Sequence, residues 1–229
     1  MLMPGFSNAA ISARTRLAIA LLITLVLYPL LRPSFGAVST DLFVLLSLVL
    51  REVFIGLIIG LVTAFVISTT QVAGTIIASQ IGLAYSQTFD PTQGVQGVVL
   101  GSFMSTLAVV LIFATDLHHL AIGALFSSYE LFEVGAVPIE GDALMLAVQA
   151  LSSSFIVATQ MSAPFLAFGL IFYLGIGVLS RLMPQVQIFF VAMPASIAVG
   201  LLVFALLLST MMMWYLTHVR DTLSMFVAV

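Results

Sequence analysis

Residues 42–67 read LFVLLSLVLREVFIGLIIGLVTAFVI. A helix needs roughly 20 predominantly apolar residues to cross the hydrocarbon core of a bilayer, and this stretch is long enough. Its only charges, Arg51 and Glu52, stand side by side in the middle. An ionised side chain at that depth costs about 3 kcal/mol even on the more lenient insertion scales, so both charges must face protein or water. The stretch predicts a membrane helix with one side that does not belong to lipid.

The rest of the chain has the same character. Of 229 residues, 62% are hydrophobic and 7% charged, and the mean hydropathy is +1.28. A soluble domain covers its surface with about 25% charged residues; here there are six Arg, no Lys and nine Asp plus Glu. The missing polar surface has to be replaced by lipid or by other subunits. With a net charge of -3 and scattered arginines, nothing could follow a phosphate backbone, so nucleic acid is an unsuitable partner. The absence of cysteine removes disulfides, thiolate zinc sites and thiol nucleophiles.

Five further apolar stretches flank the first. Leu17 to Leu31 is preceded by Arg14 and Arg16 and followed by Ser34 and Gly36, a pattern that a secretory signal shares; the apolar segments beyond it favour a membrane helix, although it is short for a span. Val72 to Tyr85 is also short, and Gly97 to Thr115 is the cleanest candidate for a span. Ala143 to Ser180 is too long for one crossing, and Pro164 removes a backbone donor, so a helical hairpin split there is expected. Val186 to Leu216 carries Pro194 early and ends in a polar tail with His218, Arg220 and Asp221. Arginines on both sides of the first segment give a contradictory orientation signal. Short segments and mid-segment charges together suggest helices that pack inside an assembly more than they contact lipid one by one. No soluble domain and no repeat is evident, so residues 1–229 are read as a single all-α, multi-helix integral membrane domain.

Few residues offer chemistry. Asp116, His118 and His119 invite a metal reading, but neighbours on a helix point about 100° apart and do not easily share one ion; a wet cluster at a membrane boundary is the expectation, with no metal. Gly175, Gly177 and Ser180 only echo a dinucleotide loop and lie in an apolar helix. No Gly-x-Ser-x-Gly elbow, His-Glu-x-x-His pair or matched intramembrane carboxylates occur, so neither catalysis nor a cofactor is expected. Glu52, Gly56, Gly60 and Ala64 recur every four residues and line one helix face, suited either to packing within the chain or to receiving a different subunit. Gln71 to Gln96 is rich in Gln, Ser, Thr and Gly, with Asp90 its only charge; it could line a wet passage, or serve caps and inter-subunit hydrogen bonds. Met211, Met212 and Met213 are flexible apolar fillers whose expected role is lipid-facing.

The run Gly177-Val-Leu-Ser-Arg181-Leu-Met-Pro184-Gln185-Val-Gln187-Ile-Phe-Phe-Val-Ala-Met-Pro194 closely resembles the signature of the FliR family of the flagellar type III export gate. Gly74 to Pro91, with Gln80, Gly82 and Asp90-Pro91, matches in the same order, as does Asp116-Leu-His118-His119 leading to Ser127-Ser-Tyr129. Arg14-Thr-Arg16-Leu, with its apolar run ending at Tyr28-Pro29, looks like the family's early region. Gln187 departs from the Asn of many relatives but keeps the amide. The chain also starts almost at Met3-Pro4-Gly5-Phe6, where relatives usually carry an apolar helix first; this leads us to expect a further in-frame apolar segment of ~20 residues upstream.

The resemblance implies a conduit subunit of a hetero-oligomeric gate in the bacterial inner membrane, at the flagellar basal body. There it would sit beside FliP-like, FliQ-like and FlhB-like subunits and pass unfolded flagellar proteins outward. It implies helical hairpins wound into a shared assembly, and it marks Arg181, Pro184, Gln185, Gln187 and Pro194 as gate candidates, together with Glu52, Gly56, Gly60, Asp90, Pro91, His118 and His119. An injectisome subunit of the same architecture is the alternative; the Asp116-Leu-His118-His119 segment looks flagellar. A small-solute transporter would need paired halves with matching broken helices, and none is visible.

Overall fold

The computed structural model describes residues 12–34, 41–83, 96–131, 140–183 and 188–226. Six α-helices and one 3₁₀ turn account for nearly all of them, with no strand among the described residues. The helices are α1 (Ala13–Leu31), α2 (Leu42–Gln80), α3 (Gln96–Ala114), α4 (Leu117–Leu131), α5 (Glu140–Leu182) and α6 (Ile188–Ser224), with the 3₁₀ turn at Arg32–Ser34. Four of them, α1, α2, α5 and α6, are long and apolar enough to cross a membrane.

Local chemistry explains where the helices begin and end. Ser12 caps α1 by accepting from the Thr15 backbone N–H at 3.2 Å, and Asp41 caps α2 by accepting from the Phe43 N–H at 3.1 Å; each oxygen takes up one of the unpaired donors of a first turn. Helix α1 begins at Ala13, ahead of the apolar run, so a segment that is short by its apolar residues alone reaches 19 residues. At the end of α2, Gly82 takes φ 92°, the left-handed geometry that glycine tolerates best and that terminates helices.

Two breaks expected from sequence are absent, and one helix runs on past its expected end. Helix α2 runs unbroken through Ser68, Thr69, Thr70 and Gln71 for 39 residues, joining two stretches that composition sets apart. Hydroxyls do not stop a helix when they can bond to carbonyls one turn back, as the Thr63 and Thr75 hydroxyls do to Ile59 and Gln71, both at 2.8 Å. Helix α5 passes through Pro164 for 43 residues, so the hairpin expected there is not formed. An apolar helix tolerates proline when its surroundings re-satisfy or shelter the freed backbone. Helix α6 continues past Leu216, and the tail with His218, Arg220 and Asp221 is helical to Ser224.

The stretch that promises the cleanest span forms one helix, α3, and a break occurs at its end. Val99–Ala114 and Leu117–Tyr129 meet at 77°, forming a broken span or re-entrant loop. Asp116 sits at the corner with φ 58°, a conformation that short polar residues such as Asp adopt more readily than others.

The chain divides into two compact units. The first comprises 1–67, 109–154 and 217–229. Its core joins Ile59, Val62, Ala124, Ala150 and Phe226, with Ile55 packed alongside. The second comprises 68–108 and 155–216; Ile77, Ile81, Met104, Met161, Phe165 and Tyr215 are its large, fully buried side chains. Met211 and Met212 are buried in this unit and only Met213 is exposed, which corrects the lipid-facing expectation for two of the three.

Candidate functional site

A carboxylate at the depth of Glu52 needs a partner, and the first unit supplies one. The Tyr129 hydroxyl of α4 donates a hydrogen bond to it. Around the pair is a cavity of about 40 Å³ lined by Glu52, Ile55, Gly56, Ile59, Leu125, Ser128 and Tyr129. Seven residues apart, Glu52 and Ile59 lie two turns along one face of α2, which brings carboxylate and core to the same neighbour. Arg51 is half-buried and also partnered. Gly56 on this face would bring an added Cβ within 4 Å of nothing. No backbone among the described residues makes close approach there, and Gly60 is half-buried beyond it.

Close backbone approach occurs elsewhere, at glycines that spacing does not single out for it. A Cβ built on Gly74 would fall 2.5 Å from the Gly101 Cα and 2.8 Å from its nitrogen, while one on Gly101 would fall 2.9 Å from the Gln71 carbonyl oxygen. Helices α2 and α3 thus cross backbone to backbone within the second unit, a contact that only residues without side chains allow. The same unit holds Gly200 against Ile81 and Gly169 against the Gln80 side chain. The Ser196 hydroxyl donates to the Ile81 carbonyl at 2.9 Å in a buried position. That carbonyl belongs to the turn after α2, where helix-end oxygens lack intrahelical donors, so α6 closes the end of α2.

Arg181 lies exposed in the last turn of α5, with no partner for its guanidinium among the described residues. Beside it, Ile171, Gly175, Leu179, Met183, Val191 and Ala195 help to line an apolar groove of about 500 Å³ between α5 and α6. Added Cβ atoms on Gly175 and Gly177 would again touch nothing within 4 Å. Pro194 sits exposed in the early turns of α6. Pro184, Gln185, Gln187, Asp90 and Pro91 lie outside the described residues.

Asp116, His118 and His119 converge, against the divergence expected of helical neighbours. One ligand atom from each lies within 4.8 Å of the other two. The two imidazole rings lean together with centroids 4.1 Å apart, and the Asp116 carboxylate is 3.8 Å from His119 Nδ1. Asp116 belongs to the corner, not to the helix, so it can turn back on α4; spacing alone does not disclose that corner.

Comparison with known sequences fits this picture. The family described as bacterial export proteins, family 1, matches residues 1–222. The chain is similar to the flagellar biosynthetic protein FliR of Caulobacter vibrioides, 41% identical over 99% of this chain and 90% of that protein. It is also similar to the FliR of Pectobacterium carotovorum subsp. carotovorum, 31% identical over 90% of this chain and 78% of the relative. Yop proteins translocation protein T of Yersinia pestis is 24% identical over 76% of this chain and 68% of its own length. An apolar, all-helical chain matched almost throughout its length in this way belongs to the FliR family of bacterial export proteins.

Proposed function

We propose that this chain is a subunit of the flagellar type III export gate in the bacterial inner membrane, at the basal body. Together with FliP-like, FliQ-like and FlhB-like subunits it forms the conduit through which unfolded flagellar proteins leave the cytoplasm. Its role is structural and not enzymatic, and residues 1–229 act as one FliR-type membrane domain, a reading supported by a family match that runs through both compact units.

The observation that carries this reading is the mismatch between helix length and self-burial. Helices of 39, 43 and 37 residues span about 55–65 Å at 1.5 Å per residue, against roughly 30 Å of hydrocarbon. Yet the most apolar windows of α2, α5 and α6 are only 11%, 17% and 22% buried within the chain. Lipid can cover about half of such a length. The remaining apolar surface needs protein, and subunits of a shared assembly provide it.

Deleting the gene and assaying the secretion of hook and filament proteins tests the proposal. Secretion and motility should be lost and should return with the wild-type chain; unchanged secretion would refute the role. The similarity to a Yop translocation protein supports an injectisome as the second reading, which predicts intact motility with loss of effector secretion.

A further inference from the structure

The corner between α3 and α4 carries a feature that the export role does not use. Leu117 is buried and anchors the first residue of α4. Asp116 on one side and His119 on the other are left outward, their side chains 77% and 70% exposed. His118 lies between, its ring 5.0 Å from that of Phe113 and its Nδ1 shielded from solvent without a hydrogen-bond partner among the described residues. The His119 N–H bonds back to the Asp116 carbonyl at 3.0 Å, which fixes the separation of the two outer residues.

From this arrangement we infer a binding site for a divalent transition metal of the Zn²⁺ class, formed by Asp116, His118 and His119. Two imidazoles and a carboxylate are the ligand types such an ion takes, and three protein ligands leave a fourth position open to solvent. At bond lengths of ~2.0–2.1 Å, tetrahedral ligand atoms lie roughly 3.4 Å apart. The Asp116 to His119 separation of 3.8 Å is close to that, and the widest separation of 4.8 Å closes by about 1 Å through side-chain rotation, which exposed rotamers allow. Ligation through His118 Nδ1 also gives that shielded nitrogen a partner, whereas a wet cluster leaves it without one. The positive φ of Asp116 is part of the site, because it turns the carboxylate towards rings on the helix that follows. Bound metal would tie the corner residue Asp116 to the first turn of α4 and so stiffen the 77° corner on that side.

The test is a calorimetric titration of the purified full-length chain in detergent with ZnCl₂, using a histidine-free affinity tag, followed by titration with CoCl₂ and visible absorption. We expect one Zn²⁺ per chain and intensified cobalt d–d bands of four-coordinate type. His119→Gln, an exposed change that leaves the fold intact, should weaken binding at least tenfold. Asp116→Asn, which keeps tolerance for the left-handed backbone, should also weaken it, and His118→Gln with His119→Gln should abolish it, all with unchanged helical circular dichroism. Absence of stoichiometric binding by the wild type would overturn the site. Equal binding by the double variant would do so as well, since the ion would then sit at other residues.

Discussion

A single methyl group at Gly74 tests the packing of the second unit more sharply than removal of any large side chain. Its Cβ would fall 2.5 Å from the Gly101 Cα, 2.8 Å from its nitrogen and 3.1 Å from the Leu100 carbonyl carbon. Carbon atoms pack favourably at about 3.5–4.0 Å, so the helices must separate by roughly 1 Å. Because the opposing atoms are backbone, no rotamer change relieves the clash. Overpacking of this kind costs about 1–3 kcal/mol, and alanine returns up to about 1 kcal/mol of helix propensity. A net loss of about 2 kcal/mol is expected for Gly74→Ala. Gly169→Ala is the matched control, because the atom in its way is the end of the flexible Gln80 side chain; it should be neutral or slightly stabilising. Thermal unfolding of both variants in the same detergent, followed by circular dichroism, gives the comparison. Equal melting of Gly74→Ala and Gly169→Ala would refute the backbone contact between α2 and α3.

Replacing Glu52 with Leu should weaken recovery of the assembled complex while the chain still inserts, because the Tyr129 hydroxyl loses its carboxylate acceptor, at about 1–3 kcal/mol; Glu52→Gln, which keeps an acceptor, should be milder, and equal recovery from both variants and the wild type would show the pair to be dispensable. Arg181→Lys keeps the charge and loses the bidentate fork, so export of hook and filament subunits should fall while membrane levels of the protein persist. Normal motility with Lys but not with Ala would instead assign Arg181 to membrane orientation alone.

Much of this architecture is legible in the sequence. Charge scarcity and long apolar runs dictate membrane helices, and the placement of Glu52 mid-helix demands the partner that Tyr129 supplies. Breaks are harder to read. Leu42 to Ile67 and Val72 to Tyr85 look like separate stretches by composition, but the hydroxyl and amide groups between them are compatible with an unbroken helix. Pro164 looks like a turn because proline removes a donor, yet α5 continues through it. The true corner rests on the backbone of Asp116, a conformation that no pattern of apolar residues encodes. The Gly74 and Gly101 contact is long-range, so each glycine looks like any other small residue until its opposite is placed. Gly56, by contrast, has the spacing of a packing site, yet an added Cβ there would meet nothing within 4 Å among the described residues, as on a surface meant for another subunit.

The open faces at Gly56 and Gly175 provide the most direct test of the assembly. Membranes from cells carrying the tagged chain are solubilised in mild detergent, the chain is purified by its tag and by size, and the complex is analysed by native mass spectrometry. A defined hetero-oligomer containing FliP-like and FliQ-like subunits is expected, lost on Gly56→Leu and Gly175→Leu although an added Cβ at either position meets no atom of the described residues within 4 Å. A stable, monodisperse particle of this chain alone, unaffected by either substitution, would contradict it.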